Sequence, residues 1–84
     1  MPYIKGEDRK KFENMLEKCP KMTTKGELEY VMYSLCMIYL RDKELRYSTL
    51  HDVWGACHHV GHEISRRLLD KREDKAIIEN GDIF

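Results

Sequence analysis

The stretch TKGELEYVMYSLCMIYLRDK, Thr24–Lys43, decides the fold. Its first four residues, Thr24-Lys25-Gly26-Glu27, make a capping-box pattern. The threonine hydroxyl accepts an amide at the helix start, and the glutamate reaches back to the backbone. A helix is therefore predicted from Thr24 to about Lys43. Its apolar set is Leu28, Val31, Met32, Leu35, Cys36, Ile38, Tyr39 and Leu40, with Tyr30, Tyr33 and Met37 on other sides. That is wider than the single stripe of an ordinary surface helix. A helix apolar nearly all round needs cover on several sides, and little chain remains to supply it. Self-association into a homo-oligomer is the expected cover.

Working outward, Cys19-Pro20 ends a preceding helix, because the residue before proline is pushed out of the helical region. That first helix is predicted over Glu7 to about Lys18. Phe12, Met15 and Leu16 form a narrow apolar stripe on an otherwise charged surface. Met1–Gly6 reads as an extended lead-in. Beyond the charged turn Arg41–Tyr47, Ser48 or Thr49 is expected to cap a third helix that runs to about Asp70. Leu50, Val53, Trp54, Cys57, Ile64 and Leu68 recur there at helical spacing. Gly55 and Gly61 each cost ~1 kcal/mol relative to alanine in a helix interior. They suggest close approach of another helix or a ligand, or simply a weakened helix. A short last helix is predicted over Arg72–Glu79, stopped by Asn80-Gly81, which tolerate the left-handed conformation of a helix end. The fold class is all-α: three main helices plus a short C-terminal one in a small helical bundle, a single domain over residues 1–84.

The chain has 84 residues, with 15 basic and 15 acidic side chains and a net charge of +0. At this size a monomer buries only about 60% of its unfolded surface, so its stability is marginal. The 42% hydrophobic fraction suffices for a core and argues against disorder, despite 36% charged residues. No apolar run approaches the ~20 residues of a membrane span, so no membrane is expected. The N-terminus is charged rather than signal-like. Balanced charge argues against a general nucleic-acid binder. Cys19, Cys36 and Cys57 are an odd set with no C-x-x-C spacing. They point to free thiols and a cytoplasmic location.

Two constellations could carry chemistry. The first is Cys57-His58-His59-Val60-Gly61-His62-Glu63. On a helix, His58 with His62 and His59 with Glu63 lie one turn apart. An i, i+4 histidine pair can hold a divalent metal, and a structural zinc wants four ligands. His58, His59, His62 and Glu63 are thus the candidate metal ligands, although the spacing is not H-E-x-x-H. Solvated or interfacial histidines are the simpler reading. The second constellation is Arg66, Arg67, Lys71 and Arg72. Guanidinium forks match phosphates, and Tyr33, Tyr47 or Trp54 can stack a base. Against this, Glu63 lies four before Arg67 and can occupy it. The mixed charges of the first helix read as a plain surface. No Gly-rich phosphate loop, serine nucleophile or paired-carboxylate set stands out, so no cofactor and no enzyme activity are expected.

The opening Met1-Pro2-Tyr3-Ile4 with Asp8-Arg9, the central Gly26-Glu27-Leu28-Glu29-Tyr30, Glu63 with Arg66-Arg67, and Glu73-Asp74-Lys75 with Glu79-Asn80-Gly81-Asp82 resemble a family of small, functionally undescribed phage and prophage proteins. The resemblance implies an all-helical fold and a bacterial host cytoplasm. It transfers no catalytic residue, and the Cys57–His62 cluster lies outside its pattern. The combined expectation is a non-enzymatic, oligomeric phage-type protein that sequesters a small nucleotide-like signal to counter host defence. Arg66, Arg67 and Arg72 would pair phosphate, and Tyr33, Tyr47 or Trp54 would stack. The alternatives are an inhibitor or adaptor of a host protein, and a metal-dependent enzyme at the histidine cluster.

Overall fold

Thr24 opens the second helix as its sequence requires. In the computed structural model, which describes Pro2–Phe84, its backbone is extended and its hydroxyl accepts the Glu27 amide at 3.1 Å. Glu27 Oε1 accepts the Thr24 amide in return at 3.1 Å, completing the box. The same oxygen accepts the Thr23 amide at 3.0 Å and the Thr23 hydroxyl at 2.8 Å. These bonds favour the ionised carboxylate, and Thr23 is the main cause that holds the Glu27 pKa below its ordinary value.

Four helical segments follow one another: α1 over Gly6–Glu17, α2 over Lys25–Leu40, α3 over Tyr47–Ile64 and α4 over Asp70–Asn80. No strand occurs among the described residues, so the all-α class holds. α1 ends at Glu17 just before Cys19-Pro20, and the Cys19 amide closes the turn onto the Leu16 carbonyl at 3.3 Å. α2 stops at Leu40, earlier than the expected Lys43, because Arg41–Lys43 turn off through a Lys43 amide bond to the Leu40 carbonyl.

α3 begins earlier than a Ser48 or Thr49 cap would place it. The Leu50 amide bonds the Arg46 carbonyl at 3.0 Å, so Arg46 stands in the capping position. Thr49 works from inside the helix instead: its hydroxyl accepts the Arg46 amide at 3.0 Å and donates to the Glu44 carbonyl at 2.7 Å. The expected break between the third and last helices does not occur. α3 passes through a π-helical turn, Ser65–Leu69, directly into α4. Ile64, Leu69 and Asp70 all keep right-handed helical dihedrals, and no glycine or proline interrupts them. The helix ends where Asn80-Gly81 predicts, with Gly81 at φ 88°, a conformation that suits glycine.

The chain divides into two units, Tyr3–Val53 and Trp54–Phe84 with Pro2. In the first unit Leu40 is buried, while Met32 and Cys36 on the preceding turns are half-buried. That i, i+4, i+8 row is the covered side of α2. In the second unit Gly55, Cys57, Glu63, Ser65 and Ala76 are half-buried. At ~100° per residue, a plain α-helix would turn Ala76 roughly 100° away from Cys57. The π turn takes up one extra residue and brings Ala76 back into line.

Candidate functional site

The candidate site lies in the unit Trp54–Phe84, where α3, the π turn and α4 carry Trp54, the histidines and the three arginines. Helical spacing places Trp54, His58, Gly61 and Ser65 along one face. The rings of Trp54 and His58 stack with centroids 5.3 Å apart and an interplanar angle of 5°. Trp54 keeps 64% of its surface exposed, so the pair offers an accessible flat aromatic surface. A Cβ added at Gly61 would meet nothing within 4 Å. The backbone beside the stack is therefore open, and the close helix approach read from Gly61 is absent among the described residues.

Arg66 and Arg67 both sit in the π turn. This segment is closed by the Asp70 amide on the Ser65 carbonyl, an i to i+5 bond. The Ser65 hydroxyl also donates to Asp70 Oδ1 at 3.2 Å, spanning the same turn. π turns occur mostly as single-turn insertions in α-helices and are frequent at functional sites. Glu63 holds Arg66 in a fork, with Nε and Nη2 each 2.9 Å from a carboxylate oxygen. The Glu63 side chain is largely covered, at 20% exposure, and so orients Arg66 rather than chasing it through solvent. Consecutive helical side chains leave the axis roughly 100° apart, so Arg66 and Arg67 address different sides. Arg72 follows on α4 and is exposed.

The other two stacking candidates, Tyr33 and Tyr47, belong to the unit Tyr3–Val53. Tyr47 stacks with His51 at 5.5 Å and stays 82% exposed. The ring pairs Tyr47–His51 and Trp54–His58 are i, i+4 spacings; the sequence alone presents Tyr47 and Trp54 as platforms for a base and His58 as a metal ligand, not as ring partners.

The metal reading gains nothing within one chain. Among the described residues, no group of three or more His, Cys, Asp or Glu stands together to hold an ion. The physical reason is local: His58 lies flat against Trp54, and Glu63 spends both oxygens on Arg66. His58, His59, His62 and Glu63 therefore do not converge as a ligand set. Cys19, Cys36 and Cys57 form no disulfide.

One groove went unpredicted. About 360 Å³ in volume, it lies where the α1–α2 connection meets α2, lined by Cys19, Pro20, Met22, Gly26, Tyr30 and Val31. Lys21 and Glu27 also line it, and its walls are otherwise mostly apolar. No described helix is long and apolar enough to cross a membrane.

The family model for a domain of unknown function (DUF6899) matches residues 1–83, and the chain belongs to that family. No curated protein and no solved structure matches the chain.

Proposed function

We propose that this member of a family without a described activity is a non-enzymatic binding protein that sequesters a small nucleotide-like ligand. In this reading the protein is oligomeric, works in the cytoplasm of a bacterial host, and serves a phage by withdrawing a host defence signal. The observation behind the reading is that one unit carries both an exposed Trp54–His58 stack and, ~18 Å further along the same helix, two arginines on a π-helical turn. The stack offers a base its π-face, and base–aromatic stacking is worth ~1–3 kcal/mol per base. Arg66 and Arg67 are the phosphate-binding arginines nearest the stack, Arg66 once phosphate displaces the Glu63 carboxylate, whereas Arg72 stands ~27 Å from Trp54 along the helix, beyond the reach of one small ligand. Trp54 is the stacking ring retained, because it alone of the three candidates shares a unit with the arginines.

Isothermal titration against cyclic and ADP-ribose-type nucleotides tests this. Binding with Kd well below ~100 μM is expected. Trp54→Ala and Arg67→Ala should each weaken it about tenfold or more, the scale of one lost stack or charged hydrogen bond. Glu63→Gln should strengthen binding by releasing Arg66. No heat at ~100 μM ligand would reject the reading. The exposed apolar side chains of α2 favour a second reading, an inhibitor or adaptor of a host protein. An equimolar protein partner together with silence in the nucleotide titration would select it.

A further inference from the structure

Among the described residues only Leu40 is buried, which leaves the second unit with none. The chain keeps 8141 Å² of its surface open. A folded monomer of 10.1 kDa exposes ~5,300 Å². Much of the open surface is apolar. α1 leaves Phe12 and Leu16 exposed, α2 Leu35 and Ile38, α3 Ile64 and α4 Ile78. Helices as short as α1 and α4, of 12 and 11 residues, are marginal in water unless an apolar face is packed. The composition is nevertheless that of a chain made to bury surface: 42% hydrophobic, with a net charge of +0 that does not keep copies apart.

We propose that this chain has no folded monomer: it folds only by interlocking with a second copy of itself, in a homodimer whose interface draws on the helices of both units. The excess of ~2,800 Å² per chain sets the size of that interface. Removed from both copies it makes ~5,600 Å², the scale of obligate homodimers and several times that of a standard contact between separately folded proteins. The distribution of the apolar residues selects the partner. A ligand or a protein seated on one patch covers one helix face and leaves the others wet. A second copy brings apolar faces from every helix, in the same proportion as those it covers, so each chain supplies the core that the other lacks. The inference rests only on the oligomeric part of the proposed function, not on its ligand.

Sedimentation equilibrium of the full chain, with circular dichroism at each concentration, is the test. At ~100 μM the mass should be twice the 10.1 kDa of the chain, with full helix content. On dilution, dissociation and helix loss should follow one curve, and the urea midpoint should rise with protein concentration. Leu16→Glu and Ile78→Glu change side chains that are 65% and 84% exposed in the single chain, so a folded monomer would tolerate both. In the dimer at least one of them should raise the dissociation constant about tenfold or more, because it buries a charge. Any other mass at ~100 μM, that of a folded or an unfolded monomer included, would overturn the proposal. So would helices that survive dissociation, a urea midpoint independent of concentration, or two silent variants. A dimer that binds no nucleotide would reject the ligand reading and leave this one standing, and a helical monomer that binds nucleotide would do the reverse.

Discussion

From Tyr30 to Leu40 α2 carries no charged side chain, whereas from Glu63 to Glu79 the other long helix carries one at almost every turn. The two regions meet the demands of helix formation differently. α2 is fixed at its start, by a capping box in which one glutamate oxygen gathers four donors from two threonines. Its middle is left to sort apolar side chains between a covered row and an open one. The second helix has no side-chain cap where α4 begins. It is carried past that point by an extra residue in the π turn, which keeps Ala76 in line with Cys57. A cap fixes where a helix starts, while an insertion fixes which way its second half faces.

Five changes press on this contrast. The largest effect is expected at Leu40, the buried end of the covered row of α2. Leu40→Ala should cost ~2–3 kcal/mol, the lower part of the range for emptied leucine sites, read by urea unfolding. A loss under ~0.5 kcal/mol would mean that the row organises nothing. Next is Thr24→Ala, expected to cost ~1 kcal/mol through the lost cap. Its pH signature separates the two regions. Glu27 has a lowered pKa in the folded state, so its contribution is full above the ordinary value of 4.5 and fades as pH falls through the lower folded value. The wild type should therefore lose stability in that acid window, and Glu27→Gln should flatten the loss. An unchanged acid limb would refute the role given to the cap.

In the other region, Gly61→Ala should raise stability by ~0.5–1 kcal/mol, since the added methyl meets open space and the helix gains propensity. If the same variant loses nucleotide binding, the bare backbone beside Trp54 serves the ligand. The smallest stability change, a few tenths of a kcal/mol, belongs to deleting one residue from the π turn, for example Leu68. The helix should re-form as a plain α-helix with unchanged ellipticity. Nucleotide binding should nevertheless weaken, because the π turn that sets the directions of Arg66 and Arg67 is removed. Undiminished binding would separate the π turn from function.

The contrast also explains what could be read in the residues. Thr24-Lys25-Gly26-Glu27 names its own geometry, since hydroxyl and carboxylate at that spacing have one good use. Asn80-Gly81 likewise announced the stop that Gly81 makes. The helix start at Tyr47 was harder, because Thr49 bonds the Glu44 and Arg46 backbone just ahead of the helix and so imitates a cap from the third position. The π turn was invisible in Ser65-Arg66-Arg67-Leu68-Leu69, for an i to i+5 bond asks for no particular side chain. Its trace was the slipped phase between Cys57 and Ala76, read instead as the end of one helix and the start of another. The stacked Trp54–His58 pair was present as spacing, but spacing alone does not choose between a ring partner and an ion.

An inserted residue in a helix is also a countable thing. A relative of this chain one residue shorter between Ile64 and Asp70 would fold into the same helices and look like a near-twin by composition. Its distal half would nevertheless present a different rim to whatever docks there. Segment length at this turn, more than the identity of any one arginine, is then the character by which members of the family could be sorted into those that share this chain's role and those that only share its shape.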